Sequence, residues 1–173
     1  MPARTLAWLV PAAVVLALAA AGSASAASYK TIDPASLQSF VGNWSPADKP
    51  LCAVLQSQAD WDKVFHPAPT MGANAPFSPP GLDWSRSAVL VVARVIGAGD
   101  TSRVFHLTAV KTTATATEVD YGFTPTPPAS STMKWYLAVI APKPVAAPIA
   151  FKENGKTVCR LDPAKGVWAS PAP

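Results

Sequence analysis

Residues that usually carry catalysis are scarce in this chain. There are two histidines, His66 and His106, and two cysteines, Cys52 and Cys159, among 173 residues. No G-x-S-x-G elbow and no H-E-x-x-H pair occurs, so neither an α/β-hydrolase nor a zincin is indicated. Two cysteines with no further Cys/His pair at ligand spacing do not make a structural zinc site. Charge is also sparse, at 14% of residues. The lysines are scattered and form no basic track, which argues against a nucleic-acid partner. Long proline-free stretches are rare: the longest, 81–124, is rich in valine and threonine rather than in helix formers. With 19 prolines in the chain, a helix bundle is excluded, because proline breaks helix interiors and central strand ladders.

What is present begins with an export signal. Arg4 precedes an uncharged apolar run over residues 6–21, and Ala24-Ser25-Ala26 supplies a small-residue cleavage pattern. Residues 1–26 therefore read as a signal peptide, with a retained membrane anchor as the alternative. No later stretch is long enough to span a bilayer, so no membrane association is expected after cleavage. Loss of Arg4 takes the net charge from +4 to +3. The length that remains suits one domain. In an oxidising compartment Cys52 and Cys159 are expected to form a disulfide, with two buried free thiols as the alternative. A loop of that span contributes on the order of 4 kcal/mol in the chain-entropy account.

The pattern along the chain is mainly β. Residues 27–36 read as a flexible tail, 37–162 as a single domain and 163–173 as a C-terminal tail in which Val167-Trp168 could dock. Residues 37–44 are ambiguous between a short helix and an edge strand. Residues 51–56 look like a strand holding Cys52. Ser57 followed by Asp60 resembles a capping box, and Trp61, Val64 and Phe65 then share one face, predicting a short helix over 58–65. Residues 66–86 hold five prolines and two glycines and read as a long irregular loop, functional or pinned by Phe77 and Trp84. The run SAVLVVARV (87–95) suits a strand buried on both faces. Residues 103–110 place Phe105, Leu107 and Ala109 on one face, with His106, Thr108 and Val110 on the other. In residues 113–121, Thr117, Val119 and Tyr121 face inward while Glu118 and Asp120 face solvent. KWYLAVIA (134–141) is a second apolar strand. Asn154-Gly155 predicts a type I′ hairpin between 149–151 and 157–161. The fold class is thus an antiparallel sheet or sandwich-like β domain with one short helix.

This order of elements resembles the C-terminal domain family of the bacterial PrcB protease-complex proteins. The likeness rests on Trp61 inside the early helix, on Asp83-Trp84 before the first long strand, and on the aromatic-led strand 135–140. It covers roughly residues 51–151. Where the family has a Gly-Gly-Tyr turn after the first long strand, this chain has Gly97-Ala98-Gly99-Asp100-Thr101-Ser102. The resemblance implies an exported, non-enzymatic accessory module that assists or stabilises a protease or another cell-envelope partner. It transfers no catalytic residues and no cofactor.

The remaining candidates are few. Metal binding would have to draw on His66, His106, Asp60 and Asp62, but Asp60 and Asp62 flank Trp61 and point to different sides of the helix. No acid pair stands out for glycosidase chemistry. Residues 97–102 could cradle an anion with backbone N–H groups or be only a turn. Trp61, Trp84 and Trp135 are expected in the core. Trp44, Phe77 and Trp168 are the candidate partner-binding residues. The expected function is a periplasmic or secreted binding module. The alternatives are a carbohydrate-binding module, marked by coplanar exposed tryptophans, and a small secreted hydrolase, marked by a Ser-His-acid set in a cleft.

Overall fold

The computed structural model describes residues 29–33, 39–41, 50–67, 81–165 and 168–169, with the backbone alone described at 39–41, 66–67, 165 and 168–169. The expected signal peptide, Trp44 and Phe77 lie outside these residues. Eleven strands and one helix are described. Five strands form the central sheet in the order β1 (Lys30–Ile32), β8 (Thr132–Pro142), β5 (Ser87–Gly97), β3 (Leu51–Leu55), β11 (Trp168–Ala169), all antiparallel. Four strands form the second sheet in the order β10 (Lys156–Leu161), β9 (Ile149–Glu153), β7 (Thr117–Phe123), β6 (Phe105–Thr112). β2 (Ser39–Val41) pairs with β4 (Phe65–Pro67) in a small third sheet.

β5 is the axis of the molecule. It pairs with β8 along all eleven of its residues and with β3 over five. Its two faces feed two cores, as its unbroken apolar run requires. Val89, Val91 and Ala93 face a cluster with Trp61, Val64 and Phe65. Leu90 and Val92 face the second sheet through Val119, Tyr121, Ile149 and Phe151. The result is three layers with the central sheet in the middle. The single helix, α1 (Gln58–Val64), lies in the outer layer and buries Trp61 and Val64. Trp61 stacks on Phe65, with ring centroids 4.2 Å apart.

The capping box forms with one change: the Asp60 carboxylate reaches the residue before the N-cap, not the N-cap itself. Ser57 Oγ accepts the Asp60 N–H at 3.1 Å, and the Asp60 carboxylate accepts the Gln56 N–H at 3.1 Å. The helix ends at Val64, one residue short of expectation, because Phe65 turns to extended backbone and opens β4. Asn154 and Gly155 both have positive φ (49° and 82°), as a type I′ turn demands. The Asn154 side chain also exchanges hydrogen bonds with the Phe123 backbone, ending the β7–β9 ladder.

The mainly β, sandwich-like class with one short helix holds, and four details differ from the reading or sharpen it. Residues 30–32, assigned to a flexible tail, form β1 against Ala138–Ile140 of β8. Residues 168–169 lie in the C-terminal tail, where docking of Val167-Trp168 is an expected option, and they pair with β3 as β11. The second sheet is not wholly antiparallel, since β7 and β9 run parallel. β6 does not keep its alternation: a register shift between Leu107 and Ala109 brings Val110 opposite Val119, onto the inner face with Phe105 and Leu107. One extra residue in a strand reverses the facing of all that follow.

Cys52 and Cys159 form a disulfide, with Cα atoms 6.4 Å apart. It joins β3 of the central sheet to β10 of the second, closing that side of the sandwich. Among the described residues no helix is long and apolar enough to cross a membrane.

Candidate functional site

The side of the sandwich opposite the disulfide is open. There β8 and β1 form one edge of the central sheet, and β6 forms the edge of the sheet above. Strand alternation decides what faces the gap. Tyr136 and Ala138 belong to the helix-side core, so Trp135 and Leu137 face the second sheet. Leu137 is covered there, whereas Trp135, nearer the start of β8, is only half-buried. It lines a cleft of about 490 Å³ together with Ile32, Asp33, Asp100, Phe105 and Leu137.

Behind the cleft an ion pair ties the sheets together. Arg94 of β5, the cross-strand neighbour of Trp135, donates from Nε and Nη2 to the Glu153 carboxylate of β9, at 3.1 and 2.5 Å. The Tyr121 hydroxyl donates to the same carboxylate at 3.1 Å. The Arg94 guanidinium also lies over the Phe123 ring, 5.0 Å from its centroid. Burial and the nearby Glu153 charge push the Tyr121 hydroxyl far above its ordinary pKa, so it stays a donor. Fork geometry suits arginine to this role, since both carboxylate oxygens are engaged at once.

At the rim, Asp100 accepts the Ser102 N–H at 2.9 Å. Hydrogen bonds from the Ser102 backbone and side chain, aided by Arg103, hold the Asp100 carboxyl below its usual range. The same bond answers the question of an anion cradle at residues 97–102: the Ser102 N–H is already engaged by a carboxylate of the chain itself. Gly97 lies inside β5, where a side chain would meet the Pro127 carbonyl oxygen at 2.5 Å.

The other sequence candidates are dispersed. The Trp168 backbone pairs with Ala53 at the far edge of the central sheet, away from the mouth. Trp61 is fully buried, and Trp84 packs half-buried against the same core and donates to Gln58 Oε1. Trp135 lies on the other face of the sheet and outside both cores. The three tryptophans with described side chains therefore share no exposed platform. His106 lies across Gly122 on the outer face of the second sheet. The groove there holds Thr108, Lys111 and Asp120 beside it, and no described serine or cysteine lines it. Asp62 accepts from Gln58 Nε2, and Asp60 accepts the Gln56 N–H and pairs with Lys63. Among the described residues no three of His, Cys, Asp and Glu come together.

The site residues that the sequence reading missed are Trp135, Phe105, Asp100 and the Arg94–Glu153 pair. One signal was present: two adjacent aromatics on a strand, Trp135-Tyr136, cannot share a face, so both cannot enter one core. The chain matches no family model, no curated protein and no solved structure.

Proposed function

We propose that the chain is an exported, non-enzymatic accessory module that binds a protein partner at the open side of its sandwich. The partner is a protease or another protein of the cell envelope, met in the periplasm or outside the cell. The carrying observation is Trp135, a large aromatic left half-buried at a cleft of about 490 Å³. Aromatic anchors in apolar recesses are where interfaces concentrate their binding energy. Support for export comes from the signal-like residues 1–26 and from a disulfide, which persists in oxidising compartments. Support for an accessory role comes from the order of elements noted in the sequence.

The test uses residues 27–173 as bait against envelope and secreted fractions under non-reducing conditions. One partner recovered near one-to-one, and lost with Trp135→Ala bait, is the expected result. Capture of nothing specific, or capture that survives Trp135→Ala, overturns it.

A further inference from the structure

Resting on that reading, we propose that the mouth takes an extended, basic segment of the partner. The segment runs along the Phe105 end of β6 and lays a lysine or arginine side chain on Trp135. Three observations lead there. The first is the free edge of β6: among the described residues it pairs only with β7. Val104 gives its carbonyl to Thr124 on the β7 side, so antiparallel alternation turns the backbone groups of Phe105 and Leu107 outward. Such groups are a template for an added strand. The far half of β6 is guarded against this by the register shift after Leu107 and by Lys111, both devices that blunt an edge. The unguarded half is the half beside the cleft.

The second observation is charge. The chain is net positive, yet the residues lining the cleft include two carboxylates, Asp33 and Asp100, and no lysine or arginine, the nearest basic group to Asp100 being Arg103 just outside the lining. The third is the exposed part of the Trp135 indole, a surface that attracts cations electrostatically. An arginine or lysine side chain there meets the Trp135 ring and the Asp100 carboxylate together. An acidic or purely apolar segment gains only the strand contacts.

Two synthetic pentapeptides test this by calorimetry on residues 27–173. Both are acetylated and amidated, with threonine at the ends and valine flanking the centre. One has arginine at the centre and the other glutamate. The arginine peptide is expected to bind at least about tenfold more tightly, and Asp100→Asn is expected to weaken it about threefold or more. Asp100 lies on an exposed turn and asparagine keeps the acceptor for Ser102, so this variant folds even if Trp135→Ala does not. Equal binding of the two peptides, or binding indifferent to Asp100→Asn, overturns the proposal. The bait experiment separates the two readings. Capture lost with Trp135→Ala but indifferent to Asp100→Asn removes the basic segment and leaves the binding module. Capture indifferent to both removes the mouth altogether.

Discussion

Two glycines show how the same substitution meets different physics. A Cβ on Gly122 would overlap the His106 imidazole that lies across it. That ring is the exposed end of a side chain and can swing into solvent. A Cβ on Gly97 would meet the Pro127 carbonyl oxygen at 2.5 Å, and a backbone atom moves only if the 124–131 loop moves. Gly122→Ala is therefore expected to change stability by less than about 1 kcal/mol while shifting the His106 ring resonances in an NMR spectrum. Gly97→Ala should cost roughly 1–3 kcal/mol, as overpacking does. Chemical denaturation of both variants checks the ordering. Gly97→Ala as mild as Gly122→Ala would show the loop to be compliant.

At the scale of the element, the helix is a short one whose ends do much of the work. Ser57→Ala removes the cap and is expected to cost about 1 kcal/mol. Asp60 adds a pH dependence. Partial burial opposes its charge, but hydrogen bonds from Gln56 and Ser57 and the charge of Lys63 outweigh burial and hold its pKa below 3.8. A lowered folded pKa means that the carboxylate stabilises the fold at pH values above 3.8, and that this contribution fades as pH falls through the lower folded value. In Asp60→Asn that part of the acid slope should disappear, which denaturation between pH 2 and pH 6 would reveal as a flatter profile than that of the parent (about two units either side of a carboxylate's range). An unchanged slope would remove Asp60 from the account. Elements with local causes were legible in the sequence for the same reason: Ser57 and Asp60 announce the helix, Asn154-Gly155 the hairpin, and the apolar run of β5 its burial on both faces. What was illegible depends on partners distant in the chain. β1 and β11 are strands because β8 and β3 offer edges, and the shift in β6 appears only against β7. Trp135 was assigned to the core because its facing is set by alternation but its burial depends on how much of β8 the second sheet covers, which no local pattern states.

For the whole molecule, the two sheets are cross-linked on neighbouring strands, β3 to β10 by the disulfide and β5 to β9 by an ion pair. The disulfide closes the β3–β10 side, and the Arg94–Glu153 pair with Tyr121 holds the sheets together behind the mouth. The pair is partly buried, with side chains 17% and 12% exposed, so removing one partner strands the other charge. Glu153→Gln is expected to cost on the order of 2 kcal/mol, the scale of a hydrogen bond to a charged group. The disulfide acts mainly on the unfolded chain by closing a separation of 107 residues, and its loss in Cys52→Ala/Cys159→Ala should cost about 4 kcal/mol. For a domain of this size that is roughly 10 °C in Tm. The two costs should fall short of additive, because the fasteners sit on neighbouring strands: Cys52 pairs with Val92, two residues from Arg94, and Cys159 with Phe151, two residues from Glu153. Strict additivity would mean that each holds the sheets independently of the other. Access gives a separate check on the same arrangement. Cys52 and Cys159 are 0% and 3% exposed, so a reductant reaches the sulfurs only when the β3–β10 side opens. Thiol labelling after mild reductant should therefore be slow in the parent. If Arg94–Glu153 limits that opening, Glu153→Gln should accelerate labelling in proportion to its loss of stability. If labelling is fast in both proteins, the β3–β10 side opens without the Arg94–Glu153 pair resisting it, and the pair does not brace the disulfide beside it.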